Sequence, residues 1–165
     1  MKFFIRCAVI FCLFFSACDS PFSETHSNDL LQVTIDIPRG WVALELEEDI
    51  ARQSMAFQDG MGGLMVINLL QAKDVHEKYY IDQVMNPDIV DEGVIEVLRR
   101  EIIWFIFRTG SLLNIAYYVA DQEGRVFSVI GTAPADIFAI YREDWDIAIK
   151  TLKKIKKNRR NTQSR

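Results

Sequence analysis

The chain has 165 residues, half of them hydrophobic, with 23 acidic and 19 basic side chains and a formal net charge of −4. That length suits one domain of ordinary size with a real core, and the acidic balance excludes nucleic acid as an expected partner. Three cysteines and two histidines leave little material for thiolate or histidine-rich metal chemistry, so neither cofactor nor metal is expected.

The chain begins with Lys2 and Arg6, then an apolar run over residues 7–15, then Ser16, Ala17 and Cys18. This is the charged, apolar, small-residue order of a secretory signal. It is too short for a membrane-spanning helix, which needs about 20 apolar residues. The segment resembles a bacterial lipoprotein signal, in which the cysteine is acylated and becomes the mature N-terminus. Phe15 departs from that pattern, since such signals usually carry Leu there. The resemblance implies a lipid anchor on Cys18 and a protein on the periplasmic or extracytoplasmic face of a cell membrane. Asp19 resembles a signal for retention at the inner membrane. Residues 1–18 are read as the signal, and Cys7 and Cys12 leave with it. Cys18 is then the sole cysteine, and no disulfide is expected.

Asp19 to Asp29 is polar and reads as a tether without fixed structure. The domain is expected over residues 30–157. Leu31, Val33, Ile35 and Ile37 alternate with Gln32, Thr34 and Asp36, which predicts a half-buried strand. Pro38-Arg39-Gly40 breaks it, and a second strand is expected over Trp41 to Glu45. Short strands follow at Ser54 to Gln58 and Leu64 to Leu70, around a glycine turn at residues 59–63 that lacks phosphate-loop spacing. Asp74 to Met85 reads as a helix capped by Asp74. Val94 to Arg108 is strongly apolar, and within it Ile102 to Phe107 is apolar on both faces, as in a covered central strand. Ser111 to Val119 and Arg125 to Gly131 read as a hairpin. Phe138, Tyr141, Trp145, Ala148, Leu152 and Ile155 recur at helical spacing, which predicts one long helix from Ala135 to Lys157.

Charge is divided along the chain. Residues 19–149 hold 23 acidic and nine basic side chains, a net of −14, whereas residues 150–165 hold eight basic and no acidic ones. The basic tail, residues 158–165 together with the lysines before it, reads either as a solvated terminus or as a contact to anionic lipid.

Strands joined by hairpins, with two amphipathic helices among them, predict an α+β domain: a mainly antiparallel sheet flanked by helices on both faces. Pro38-Arg39-Gly40-Trp41 resembles the P-x-G-W opening of the PsbP-like family. The later order of glycine turn, helix, long strand, hairpin and closing helix is similar over about residues 30–156. DcrB-like envelope lipoproteins of that family match the setting. The resemblance implies a non-enzymatic binding or assembly module for a membrane-associated complex.

Cys18 is the functional residue the sequence names. Trp104, Phe105 and Phe107 form the candidate partner surface, for an envelope protein or a second copy of the chain, with a central core strand as the other reading. His26 falls in the tether and His76 in a helix. Asp88, Asp91 and Glu92 resemble loop chemistry more than a calcium site. Ser111 and Ser128 lack a nucleophile-elbow motif. No catalytic residue is assigned. A small-ligand or lipid carrier, with an apolar pocket walled by Trp41, Trp104 and Trp145, is one alternative. An enzyme of unrecognised type is the other.

Overall fold

A computed structural model of the chain describes residues 23–155, apart from 73, 86, 87, 98 and 122. In chain order the elements are β1 (Ser23–Asn28), β2 (Val33–Pro38), β3 (Val42–Ala43), α1 (Glu48–Ala51), β4 (Ser54–Gln58), β5 (Leu64–Leu70) and α2 (Val75–Met85). There follow β6 (Ile89–Val97), β7 (Arg100–Thr109), β8 (Leu112–Ala120), β9 (Val126–Pro134), α3 (Phe138–Thr151) and β10 (Lys153–Lys154). Seven strands form one antiparallel sheet in the order β3-β4-β5-β9-β8-β7-β6. A second, three-stranded sheet has the order β1-β2-β10.

The layers follow from side-chain alternation. On β2, Val33, Ile35 and Ile37 are fully buried, while Thr34 and Asp36 between them are half-buried. That buried face meets α3, and both pack on one side of the large sheet. α3 directs Phe138, Tyr141, Trp145, Ala148 and Ile149 inward at spacings of three, four and one. On the opposite side, α2 covers a smaller cluster around Ile103, Phe105, Ala116 and Tyr118. The domain is therefore α+β, with helices on both faces of an antiparallel sheet, as its pattern predicts.

One pair of neighbours ties the layers together. Tyr117 and Tyr118 of β8 point to opposite faces, as successive strand residues must. The Tyr117 hydroxyl donates to Asp146 of α3 at 2.6 Å, and the Tyr118 hydroxyl donates to Asp82 of α2 at 2.7 Å. Both rings are fully buried, and each hydroxyl finds a carboxylate on the helix covering its own face.

Three local readings change. Ser23–Asn28, read as part of a loose tether, is strand β1, paired along its length with β2. Thr25 Oγ1 donates to Asp36 at 2.6 Å, so a polar outer strand is held by its ladder and a side-chain bond. Residues 89–97, read partly as an acidic loop, are the edge strand β6. The closing helix stops at Thr151, short of Lys157. Leu152 turns extended at φ −56° and ψ 119° to reach the core, where it is buried. Thr151 Oγ1 donates to Ala148 O and accepts the Asp36 N–H, both at 2.8 Å, which fixes that end to β2.

Candidate functional site

The sequence-named residues divide sharply. Cys18 lies outside the described residues, as do the tail residues 158–165. Trp104 and Phe105 are buried and Phe107 is half-buried, as in the core-strand reading of this segment. Strand β7 is covered by α2 on one face. On the other face Arg142 lies over the Trp104 ring, 4.6 Å from its centroid, and pairs with Asp91 at 3.6 Å.

The three tryptophans do not wall an apolar pocket. Each lies against a glycine that has no room for a side chain. A β-carbon on Gly131 would run into the Trp145 ring. One on Gly93 would come within 2.7 Å of Trp104 Cζ2, and one on Gly63 within 2.9 Å of Tyr141 and 3.1 Å of Trp41. Trp41, Tyr141 and Trp145 then pack on one another with ring centroids 5.7–6.5 Å apart. The space between sheet and α3 is filled at this point.

The other candidates also resolve into structure. His26 packs edge-on against Phe57 at 5.0 Å, and His76 lies 3.4 Å from Glu101 at the surface. Ser128 accepts a hydrogen bond from Asn68, whose own carbonyl accepts one from Ser54. Asp91 and Glu92, adjacent on β6, face opposite layers: Glu92 accepts from Tyr79 at 2.5 Å on the α2 side. Among the described residues no three His, Cys, Asp or Glu side chains gather as metal ligands. No described helix is long and apolar enough to cross a membrane.

What the chain does assemble is a basic groove of about 1220 Å³, at the end of α3 between the two sheets. Arg99 and Arg100 come from the β6–β7 turn and the start of β7. Arg125 immediately precedes β9, and Lys153 and Lys154 form β10. Arg100 donates to the carbonyls of Leu152 (2.9 Å) and Lys150 (3.2 Å), satisfying acceptors left open where α3 ends. Arg125 Nε donates to Asp121 at 2.7 Å, Nη1 donates to Leu31 O at 3.2 Å, and the guanidinium lies 5.1 Å from the Phe127 centroid. Burial would raise the Asp121 carboxyl, but the Arg125 side chain and the N–H groups of Arg125 and Glu123 hold it below the usual carboxylate value. Lys154 pairs with Glu123. Neither Arg99 nor Lys153 is in an ion pair among the described residues. No spacing along the chain announces this groove, because its cations are brought together only by strand order.

No family model matches the chain, and no curated protein matches it in sequence. Solved structures do match. Cyanobacterial PsbP (CyanoP) from Synechocystis sp. PCC 6803 superposes with a TM-score of 0.57 at 10% identity, over 85% of this chain and 98% of that one. The Ran-binding protein Mog1p of Saccharomyces cerevisiae superposes with a TM-score of 0.52 at 6% identity, over 81% and 95%. The fold is PsbP-like. At such low identity the likeness extends to fold alone.

Proposed function

We propose that the chain is a non-catalytic binding or assembly module of the cell envelope, moored through an acylated Cys18. The observation that carries the reading is the filled layer around the three tryptophans. The tryptophan–glycine contacts fill the layer where a carrier would hold an apolar ligand, and the buried tyrosines are occupied with structural carboxylates. Function is thereby left to the surface. Mog1p, a Ran-binding protein on the same fold, supports this at the level of fold analogy only.

Two measurements test it. Cys18→Ala should release the protein from the membrane fraction and remove the mass of the acyl groups. A variant that stays in the membrane with unchanged mass sinks the anchor. Native mass spectrometry of the purified protein should find no apolar molecule held in the domain. A co-purifying lipid, displaced by filling substitutions beside Trp145, would replace the module reading with the carrier.

A further inference from the structure

The geometry points to the basic groove at the end of α3 as a binding site for a phosphate-bearing anion. Three independent features converge there. The first is charge: Arg99, Arg100, Arg125, Lys153 and Lys154 line one groove of a chain whose residues 19–149 carry a net of −14. Among the described residues the only carboxylate lining it is Asp121, already held by Arg125, and Lys154 is met by Glu123 at its rim. Gathering so many like charges raises the potential locally and draws an anion into the groove.

The second feature is an unused donor. Arg125 Nη2 is buried and has no hydrogen-bond partner among the described residues, while the other guanidinium nitrogens of that side chain are bonded. A buried donor without an acceptor is costly, and an oxyanion in the groove would supply one. The third feature is backbone strain. Gln32 at φ 60° and Arg99 at φ 63° are the two non-glycine residues with positive φ among those described, and both line this groove. Such conformations are strained and cluster where a site imposes them.

Phosphate fits this donor set better than a carboxylate. Its oxygens spread over several directions, and two or more guanidinium forks and ammonium groups can share them. The phosphate can belong to a lipid headgroup or to a soluble phosphate ester. The chain also continues from Ile155, on the groove wall, into Lys156, Lys157, Arg159, Arg160 and Arg165. More cations therefore follow directly from the site in the sequence, as suits an anionic membrane surface. The site goes beyond the module reading, and Cys18→Ala leaves it intact.

The test compares the full chain with the double variant Arg99→Asn, Lys153→Gln. Neither side chain is in an ion pair among the described residues, and Asn tolerates the left-handed conformation at position 99. In one arm, sn-glycerol 3-phosphate is titrated and followed by phosphorus NMR. In the other, binding to phosphatidylglycerol-containing vesicles is measured relative to pure phosphatidylcholine vesicles. Leader, anchor and basic tail are the same in parent and variant, so the change between the two chains reads the charged site. The double variant should bind roughly 25-fold more weakly, from about fivefold per cation. Loss in both arms, or in the vesicle arm alone, identifies a lipid headgroup as accessible to the site. Loss in the soluble arm alone identifies a free phosphate ester. Wild-type binding by the variant in both arms, or no binding of either probe to the parent chain, overturns the site. If the double variant does not fold, Lys153→Gln alone carries the same comparison with an expected loss of about fivefold.

Discussion

The two faces of the seven-stranded sheet are closed in different ways. Under α3 the closure is one of shape: Trp145 lies on Gly131, Trp104 on Gly93, and Trp41 with Tyr141 on Gly63. Under α2 there is no tryptophan. Phe105, Tyr118 and Tyr79 pack together, and the layer is finished by polar bonds from Tyr118 to Asp82, Tyr79 to Glu92, and Gln83 to both Tyr79 and Glu92. The contrast separates two means of fixing a helix on a sheet. Close packing punishes any added atom, whereas a polar finish punishes a lost partner.

The sharpest way to break this contrast is to add one methyl group on the tryptophan face. Gly131→Ala forces a β-carbon into a fully buried indole from the central strand β9, where neither backbone nor ring can move freely. It should destabilise by about 3 kcal/mol, read as a lower urea midpoint at unchanged slope. Gly93→Ala makes a similar clash with Trp104, but from the edge strand β6 and against a ring capped by the partly exposed Arg142. There the strand can bend outward, and the loss should be about 1 kcal/mol. Equal losses would mean that the sheet's centre is no more rigid than its edge.

These glycines also mark where the sequence could and could not be read. Strands β4 and β5 fall at their predicted bounds, because each has a sharp turn signal beside it and a simple apolar pattern within. The alternation of β2 is equally plain. Strand β6 was hidden: Asp91, Glu92 and Glu96 are acidic, position 93 is glycine, and an edge strand needs only one well-packed neighbour. The role of Gly93 and Gly131 as seats for indole rings depends on partners 11 and 14 residues away, on other elements. The basic groove was illegible for the same reason. Residues 99, 100, 125, 153 and 154 share no period, and only the meeting of two sheets makes them one site.

The polar finish is tested by removing one hydroxyl from each face. Tyr117→Phe leaves Asp146 with no other hydrogen-bond or ion-pair partner among the described residues. Tyr118→Phe leaves Asp82 still paired with Lys78 at 2.5 Å. The first should cost about 2 kcal/mol and the second about 1 kcal/mol, since the penalty grows when a half-buried carboxylate is stranded. The reverse order would show that the Lys78 ion pair does not compensate Asp82 for the lost hydroxyl, and that the α2 face depends on its tyrosine bonds more than the α3 face does.

Solution pH gives the finest comparison, because a tyrosine on each face holds its proton unusually firmly. Burial, reinforced by the hydrogen bond to Glu92 and its charge, pushes Tyr79 up to about 12 on the α2 side. Burial, reinforced by Asp59, pushes Tyr141 up to about 12 on the α3 side. A raised pKa contributes stability that is complete below pH 10 and lost as pH climbs toward 12. Stability should therefore fall across that alkaline interval, and Tyr79→Phe or Tyr141→Phe should each make the fall shallower. Tyr141 has a second effect. Burial would raise Asp59, but the Tyr141 hydroxyl and the N–H groups of Gly63 and Met61 outweigh it and hold Asp59 below 3.8. A lowered carboxylate stabilises above that value and loses its contribution as pH falls through its folded pKa. Tyr141→Phe returns Asp59 toward 3.8, so the acid-side loss should shrink as well. Urea midpoints followed across both limbs would detect this. An acid limb unchanged in Tyr141→Phe would mean that the backbone donors of the glycine turn hold Asp59 on their own, without the hydroxyl that α3 supplies.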